Sequence, residues 1–84
     1  MNKPRYDHGL QKIAQKIFVF GGVAGGRIIK SSEVYDVVQN SWKNLPDMLE
    51  ASADITCVIV KNKILISSEN SRLMSYDIEN EAYS

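Results

Sequence analysis

The run Ile17, Phe18, Val19, Phe20, followed at once by Gly21 and Gly22, constrains this chain more than any other stretch. Four consecutive apolar residues do not alternate, so a strand made of them has both faces buried. The glycine pair ends that strand sharply, because it admits positive φ or a close backbone neighbour that a Cβ would hinder. Tyr35 follows Gly22 by thirteen residues, and Trp42 follows Tyr35 by seven. After the polar lead-in Ser31, Ser32, Glu33, the stretch Val34, Tyr35, Asp36, Val37, Val38 predicts a second strand rich in β-formers. Gln39 and Asn40 predict a tight turn, and residues 41–45 a third strand that Pro46 ends, because proline cannot donate to a ladder. The outcome is three short antiparallel strands joined by one longer loop and one turn.

These residues resemble the Kelch repeat, whose pattern is an apolar strand, Gly-Gly, and then a Tyr and a Trp at set distances. Pro4-Arg5 stands where that family commonly opens a repeat with Pro-Arg, and its distance to Gly21-Gly22 also fits. The resemblance implies a four-stranded β-propeller blade over about 4–49. The first strand of such a blade falls in 6–15, where Leu10, Ile13 and Ile17 are spaced three and four apart among good helix formers, so a helical or frayed N-terminus competes. The spacing to Gly21 favours the strand.

The pattern recurs. Residues 54–60, a turn at Lys61-Asn62, and residues 63–66 form a hairpin of two apolar strands. Ser67-Ser68 then stands in the place of Gly21-Gly22. Leu73, Met74, Ser75, Tyr76, Asp77, Ile78 predict the next strand, Glu79-Asn80 its turn, and residues 82–84 a last strand. Tyr83 follows Tyr76 by seven residues, as Trp42 follows Tyr35. Without the glycines, the turn after Ile66 must take another geometry or carry strain. The reading is an all-β, antiparallel chain of about two four-stranded Kelch-type blades: 1–49 a first repeat, 50–84 a divergent and truncated second.

A chain of 84 residues is too short for a ring of ~4–8 blades, so it reads as a piece of a larger assembly. Ten basic residues balance ten acidic ones, which leaves no electrostatic footprint for nucleic acid. The single cysteine, Cys57, forbids an internal disulfide and suits a reducing, cytoplasmic setting. No apolar run reaches signal-peptide or membrane-spanning length. His8, the sole histidine, has no second ligand at metal spacing, and Cys57 sits in an apolar run where a thiol is an inert small hydrophobe. Gly25-Gly26 lacks the Gly-Lys-Ser/Thr ending and following helix of a phosphate loop, so it reads as a turn within a flexible loop. No cofactor or metal is expected.

Two loops remain, 23–32 with Arg27 and Lys30, and 69–72 with Arg72. Loops on a rigid scaffold are where binding groups sit. The resemblance implies that such loops meet peptide segments of partner proteins, with arginines contacting acidic groups, and Arg27 is the first candidate. Gly21, Gly22, Tyr35, Trp42, Tyr76 and Tyr83 are assigned structural roles, the aromatics packing blade against blade. The function expected is a non-catalytic protein-interaction module in a scaffold or ubiquitin-ligase substrate adaptor. The rival is a piece of a Kelch-type propeller enzyme, an oxidase or a sugar-processing enzyme, with catalytic residues in other blades.

Two expectations concern packing. Phe18, Phe20, Tyr35, Trp42, Ile59, Leu65 and Tyr76 should be among the most buried large side chains. Two blades hide only the faces they turn toward each other, so the outer faces call for further blades, in the same chain or by self-association.

Overall fold

The computed structural model describes Arg5, Tyr6 and residues 8–68 and 71–84, with residues 71 and 72 described by backbone alone. It contains two four-stranded antiparallel sheets and no helix among the described residues. The first sheet is formed by β1 (Gly9–Ile13), β2 (Lys16–Phe20), β5 (Ser32–Asp36) and β6 (Ser41–Leu45), in the order β1-β2-β5-β6. The second is formed by β7 (Thr56–Val60), β8 (Lys63–Ser68), β9 (Ser71–Asp77) and β10 (Ala82–Tyr83), in the order β10-β9-β8-β7. A small hairpin, β3 (Val23–Ala24) and β4 (Arg27–Ile28), projects between β2 and β5.

Strand β1 resolves the competition in the N-terminal stretch. Its residues pair with β2 from Gly9↔Phe20 to Ile13↔Lys16 through a two-residue turn at Ala14 and Gln15, with Ala14 at φ +52°. Helical propensity yields here because each ladder bond and each side chain set against β2 outweighs a preference of a few tenths of a kcal/mol per residue.

Side-chain parity then builds the core. Phe18, Phe20, Val34 and Leu45 lie on one face of the first sheet and pack against Ile64, Ile66, Met74 and Tyr76 of the second. The Tyr76 ring tilts against both Phe18 and Phe20, with centroids 6.0 and 5.8 Å away, and Tyr83 stands edge-on to Phe20 at 6.4 Å. Edge-to-face and tilted contacts of this kind add to the area they remove from water. Lys43 closes the outer rim with an ion pair to Glu81 at 3.0 Å, exposed and therefore worth little.

Several expected boundaries move. The second strand runs Ser32–Asp36, not 34–38, because Phe20 pairs with Ser32 and the chain turns after Asp36. Val37 and Val38 enter a four-residue turn in place of the two-residue one, and Val38 is 71% exposed. The Asp36 carboxylate accepts from Gln39 N–H at 3.0 Å and the Gln15 carbonyl from Val37 N–H at 2.8 Å, bonds that specify the turn over the β-propensity of two valines. In the second unit, β7 begins at Thr56 and not Asp54, which sits at φ +56°, and β9 begins at Ser71, two residues before the expected Leu73.

Ser67 and Ser68 do not form a turn. Strand β8 continues through both, with an irregularity in its pairing between Ile66 and Ser68. Ile64 pairs with Tyr76 as Ile17 pairs with Tyr35, so Ser68, not Ser67, is the register counterpart of Gly21. A slip of one residue exchanges the two faces of a strand, which is why the ladder and not the letter pattern decides the correspondence.

Burial corrects the packing list as well. Phe18, Phe20 and Tyr76 are buried as expected, but Tyr35, Trp42 and Leu65 are only half-buried and Ile59 is 41% exposed. Tyr35, Trp42 and Leu65 lie on faces turned away from the shared core. Ile59 has core-side parity through Ile64, but it lies on the edge strand β7, where the first sheet covers it incompletely.

Candidate functional site

The loop carrying Arg27 and Lys30 is more ordered than a flexible loop. Val23 pairs with Ile28 and Ala24 with Arg27, and Gly25 and Gly26 close the turn at φ +60° and +76° with open space around both. Arg27 and Lys30 are exposed. Arg72 was expected in the second loop but falls within strand β9, which already pairs at Ser71 with Ser68; its side chain and residues 69–70 lie outside the described residues, as does Pro4.

Backbone bonds fix the neck of the hairpin. Gly21 N–H donates to the Ser31 carbonyl and Ile29 N–H to the Gly22 carbonyl, both at 3.0 Å, while Tyr6 and Val23 exchange bonds at 3.0 and 2.7 Å. The connection 46–55 between the sheets passes beneath. Met48 and Ser52 donate to the carbonyls of Lys30 and Ile29 at 2.7 and 3.2 Å, and Gly22 N–H donates to the Ser52 carbonyl at 2.7 Å. The glycine pair is required by this crossing: a Cβ on Gly21, at φ +57°, would stand 2.6 Å from both the Ser52 carbonyl oxygen and Met48 Cε.

Arg5 is the residue to which sequence reasoning gave a position but no role. One guanidinium nitrogen, Nη1, donates to the carbonyls of Gly21 at 3.0 Å and Ser31 at 3.1 Å, the two residues that bracket the loop. The other, Nη2, reaches Ser31 Oγ at 3.3 Å and lies 3.7 Å from Glu33 Oε1. The Arg5 and Glu33 side chains are 1% and 2% exposed, so the pair is desolvated and costly to break on one side. The Pro-Arg spacing marked the position, but a fork spanning both ends of a loop is a tertiary arrangement. Beside it a cleft of about 320 Å³ opens between Arg5, Glu33, Asn44 and Asp47.

The aromatic candidates separate into two sets. Tyr76 and Tyr83 lie between the sheets, with rings 4.9 Å apart at 52°. Tyr83 Oη bonds Ser32 Oγ, which in turn donates to the Pro46 carbonyl at 2.8 Å. Burial pushes the Tyr76 hydroxyl up to about 12, with the charges of Glu81 and Asp77 adding to it, and also holds Tyr83 well above the usual tyrosine range. Tyr35 and Trp42 form a similar pair, 5.0 Å apart at 46°, on the opposite face of the first sheet, where Tyr35 donates to Asn40 Oδ1. Burial also raises the Cys57 thiol to about 11, so its thiolate is a minor species near neutral pH.

With the two sheets and the hairpin described, comparison with known proteins gives the family. The model of the Kelch motif matches residues 4–49, and this chain belongs to the Kelch-repeat family. Each four-stranded sheet is a Kelch-type blade. Kelch-like protein 7 of Rattus norvegicus is 38% identical over 66 residues, covering 79% of this chain and 11% of that protein. An F-box/kelch-repeat protein of Arabidopsis thaliana is 32% identical over 75 residues, 83% of this chain and 13% of its own. Acyl-CoA-binding domain-containing protein 6 of Oryza sativa subsp. japonica is 29% identical over 51 residues, 61% of this chain and 8% of its own. The chain thus spans about a tenth of the length of these curated relatives.

Proposed function

We propose that this chain is a non-catalytic protein-interaction module organised as two Kelch repeats, 1–49 and 50–84, that presents its inter-strand loops to a peptide segment of a partner protein. The observation that carries the proposal is the β3-β4 hairpin. Its tip places Arg27 in solvent, and its neck is held by backbone bonds and by Arg5 on both bracketing carbonyls. An exposed group on a pinned support loses little entropy on binding, which is what a recognition loop needs. Arg27 contributes a planar fork for a carboxylate and Lys30 a second positive charge.

The setting is a cytoplasmic scaffold or ubiquitin-ligase substrate adaptor. The plant relative that is an F-box/kelch-repeat protein by name accords with this. No observation favours the enzyme alternative, and no helix of the described residues is long and apolar enough to cross a membrane.

The test is titration of the 84-residue protein against a library of labelled acidic and neutral peptides by fluorescence anisotropy. Acidic peptides should bind with salt-sensitive affinity, Arg27→Ala should weaken the best of them by about tenfold, and Arg27→Lys should recover part of the loss. Absence of any acidic-peptide preference, or full binding by Arg27→Ala, would overturn the assignment.

A further inference from the structure

One residue of the β3-β4 hairpin has both of its main-chain groups turned outward. Opposite residues of an antiparallel ladder alternate between pairs that exchange both hydrogen bonds and pairs that exchange none. Val23 spends its N–H and its carbonyl on Tyr6, at 2.7 and 3.0 Å, on the side away from β4. Its β4 partner Ile28 therefore belongs to a non-bonded pair, and its own N–H and carbonyl point away from β3. Ile29 has the opposite parity and turns its N–H back to the Gly22 carbonyl at 3.0 Å. On the open side the Lys30 carbonyl accepts from Met48 N–H at 2.7 Å, so the connection 46–55 meets this edge at Lys30, and it forms no backbone bond to Ile28 among the described residues. The side chains of Tyr6, Val23 and Ile28 make one cross-strand row, with Tyr6 60% and Ile28 47% exposed. Arg27 lies on the other face, opposite Ala24. Residues 23–30 hold two basic side chains and no acidic one, while in the connection Asp47 lines the cleft at Arg5 and Glu50 already has a partner.

We propose that a partner protein adds an extended segment as an antiparallel strand on the open edge of β4, with an apolar residue opposite Ile28 and an acidic residue directly after it, opposite Arg27. This rests on the reading of 23–32 as a recognition loop and specifies how that loop reads its peptide. The partner residue opposite Ile28 exchanges two backbone bonds with it and meets the N–H and carbonyl that the hairpin leaves open. Its side chain continues the row Tyr6-Val23-Ile28, which favours an aliphatic or aromatic group. The next partner residue falls on the other face beside Arg27, where a carboxylate meets the guanidinium fork. A parallel strand would divide the two bonds between partner residues two apart, one of them directed toward Met48, which already holds the Lys30 carbonyl. Geometry thus sets the order in the partner, apolar first and acidic second.

The test places the changes in the peptide, so that the fold of the 84-residue protein is untouched. Three labelled peptides of otherwise Gly-Ser sequence carry a central Leu-Glu pair, the reversed Glu-Leu pair, or Leu-Glu with the leucine nitrogen methylated. By fluorescence anisotropy the Leu-Glu peptide should bind about tenfold more tightly than either of the others, since one loses the Arg27 contact and the other the donor to the Ile28 carbonyl. Amide hydrogen exchange on the isotopically labelled protein gives a second readout. Saturating Leu-Glu peptide should slow exchange at the Ile28 amide about tenfold or more, and leave the Ile29 amide, already bonded to Gly22, nearly unchanged. No binding of the Leu-Glu peptide, equal binding of the two orders, a methylated peptide that binds as well as its parent, or an Ile28 amide unaffected by peptide would each overturn strand addition. Acidic peptides that still bind in a salt-sensitive way and are weakened by Arg27→Ala would in that case leave the loop reading standing, whereas loss of that preference as well would remove both.

Discussion

Gly21 is the residue on which the geometry presses hardest, and Gly25 is its internal control. Both have left-handed φ, +57° and +60°, but the first faces the Ser52 carbonyl and Met48 while the second faces open space. Gly25→Ala should therefore cost the left-handed penalty alone, ~1–2 kcal/mol. Gly21→Ala adds crowding against a backbone oxygen, ~1–3 kcal/mol more. Urea unfolding of the two variants measures the gap, and equal losses would show that the crossing segment yields freely. Arg5 lies at the same scale: its three hydrogen bonds and buried partner make it a support of the Arg27 loop and not a contact group.

Among the elements, the contrast between β2 and β7 shows what an apolar run implies. Both are unbroken apolar stretches, yet Phe18, Val19 and Phe20 are buried while Val58, Ile59 and Val60 stay exposed. The difference is position: β2 is internal, with its Phe18-Phe20 face covered by the second blade, whereas β7 is an edge strand. Phe20→Ala should cost ~3–5 kcal/mol. Ile59→Ala should cost under about 1.5 kcal/mol, because part of its surface is already in water. Thermal unfolding ranks the two, and a larger loss at Ile59 would place β7 in the core. The β3-β4 hairpin makes a related point, since a stretch with two glycines and scattered charge is ordered by its neck.

At the scale of the whole molecule, the blades share one core: Phe18 and Phe20 from the first meet Tyr76 and Tyr83 from the second. Neither sheet retains that burial alone, so the two should unfold together. Trp42, the only tryptophan, lies on the far face of the first blade and reports on that blade by fluorescence. Tyr76→Ala should lower the denaturation midpoint seen by Trp42 fluorescence as much as the midpoint seen by far-UV circular dichroism. A Trp42 midpoint that does not move would mean that the blades melt separately.

The sequence by itself determined the all-β class, three strands of the first blade and four of the second, and the family, because each depends on local chemistry: β-branched runs, a glycine pair, a proline stop and two aromatics seven residues apart. It also marked the loop with Arg27. What it left open was decided by tertiary structure. The strand at 9–13 formed because β2 offered a ladder, Val37 and Val38 left their strand because Asp36 and Gln15 bonded the turn, and the register of Ser68 came from pairing across β9. The side on which an aromatic row lies, and whether it is covered, depends on which neighbour each sheet face meets. Tyr76 and Tyr83 are covered by the first blade, while Tyr35 and Trp42, at the same spacing, face outward because no second sheet among the described residues packs there.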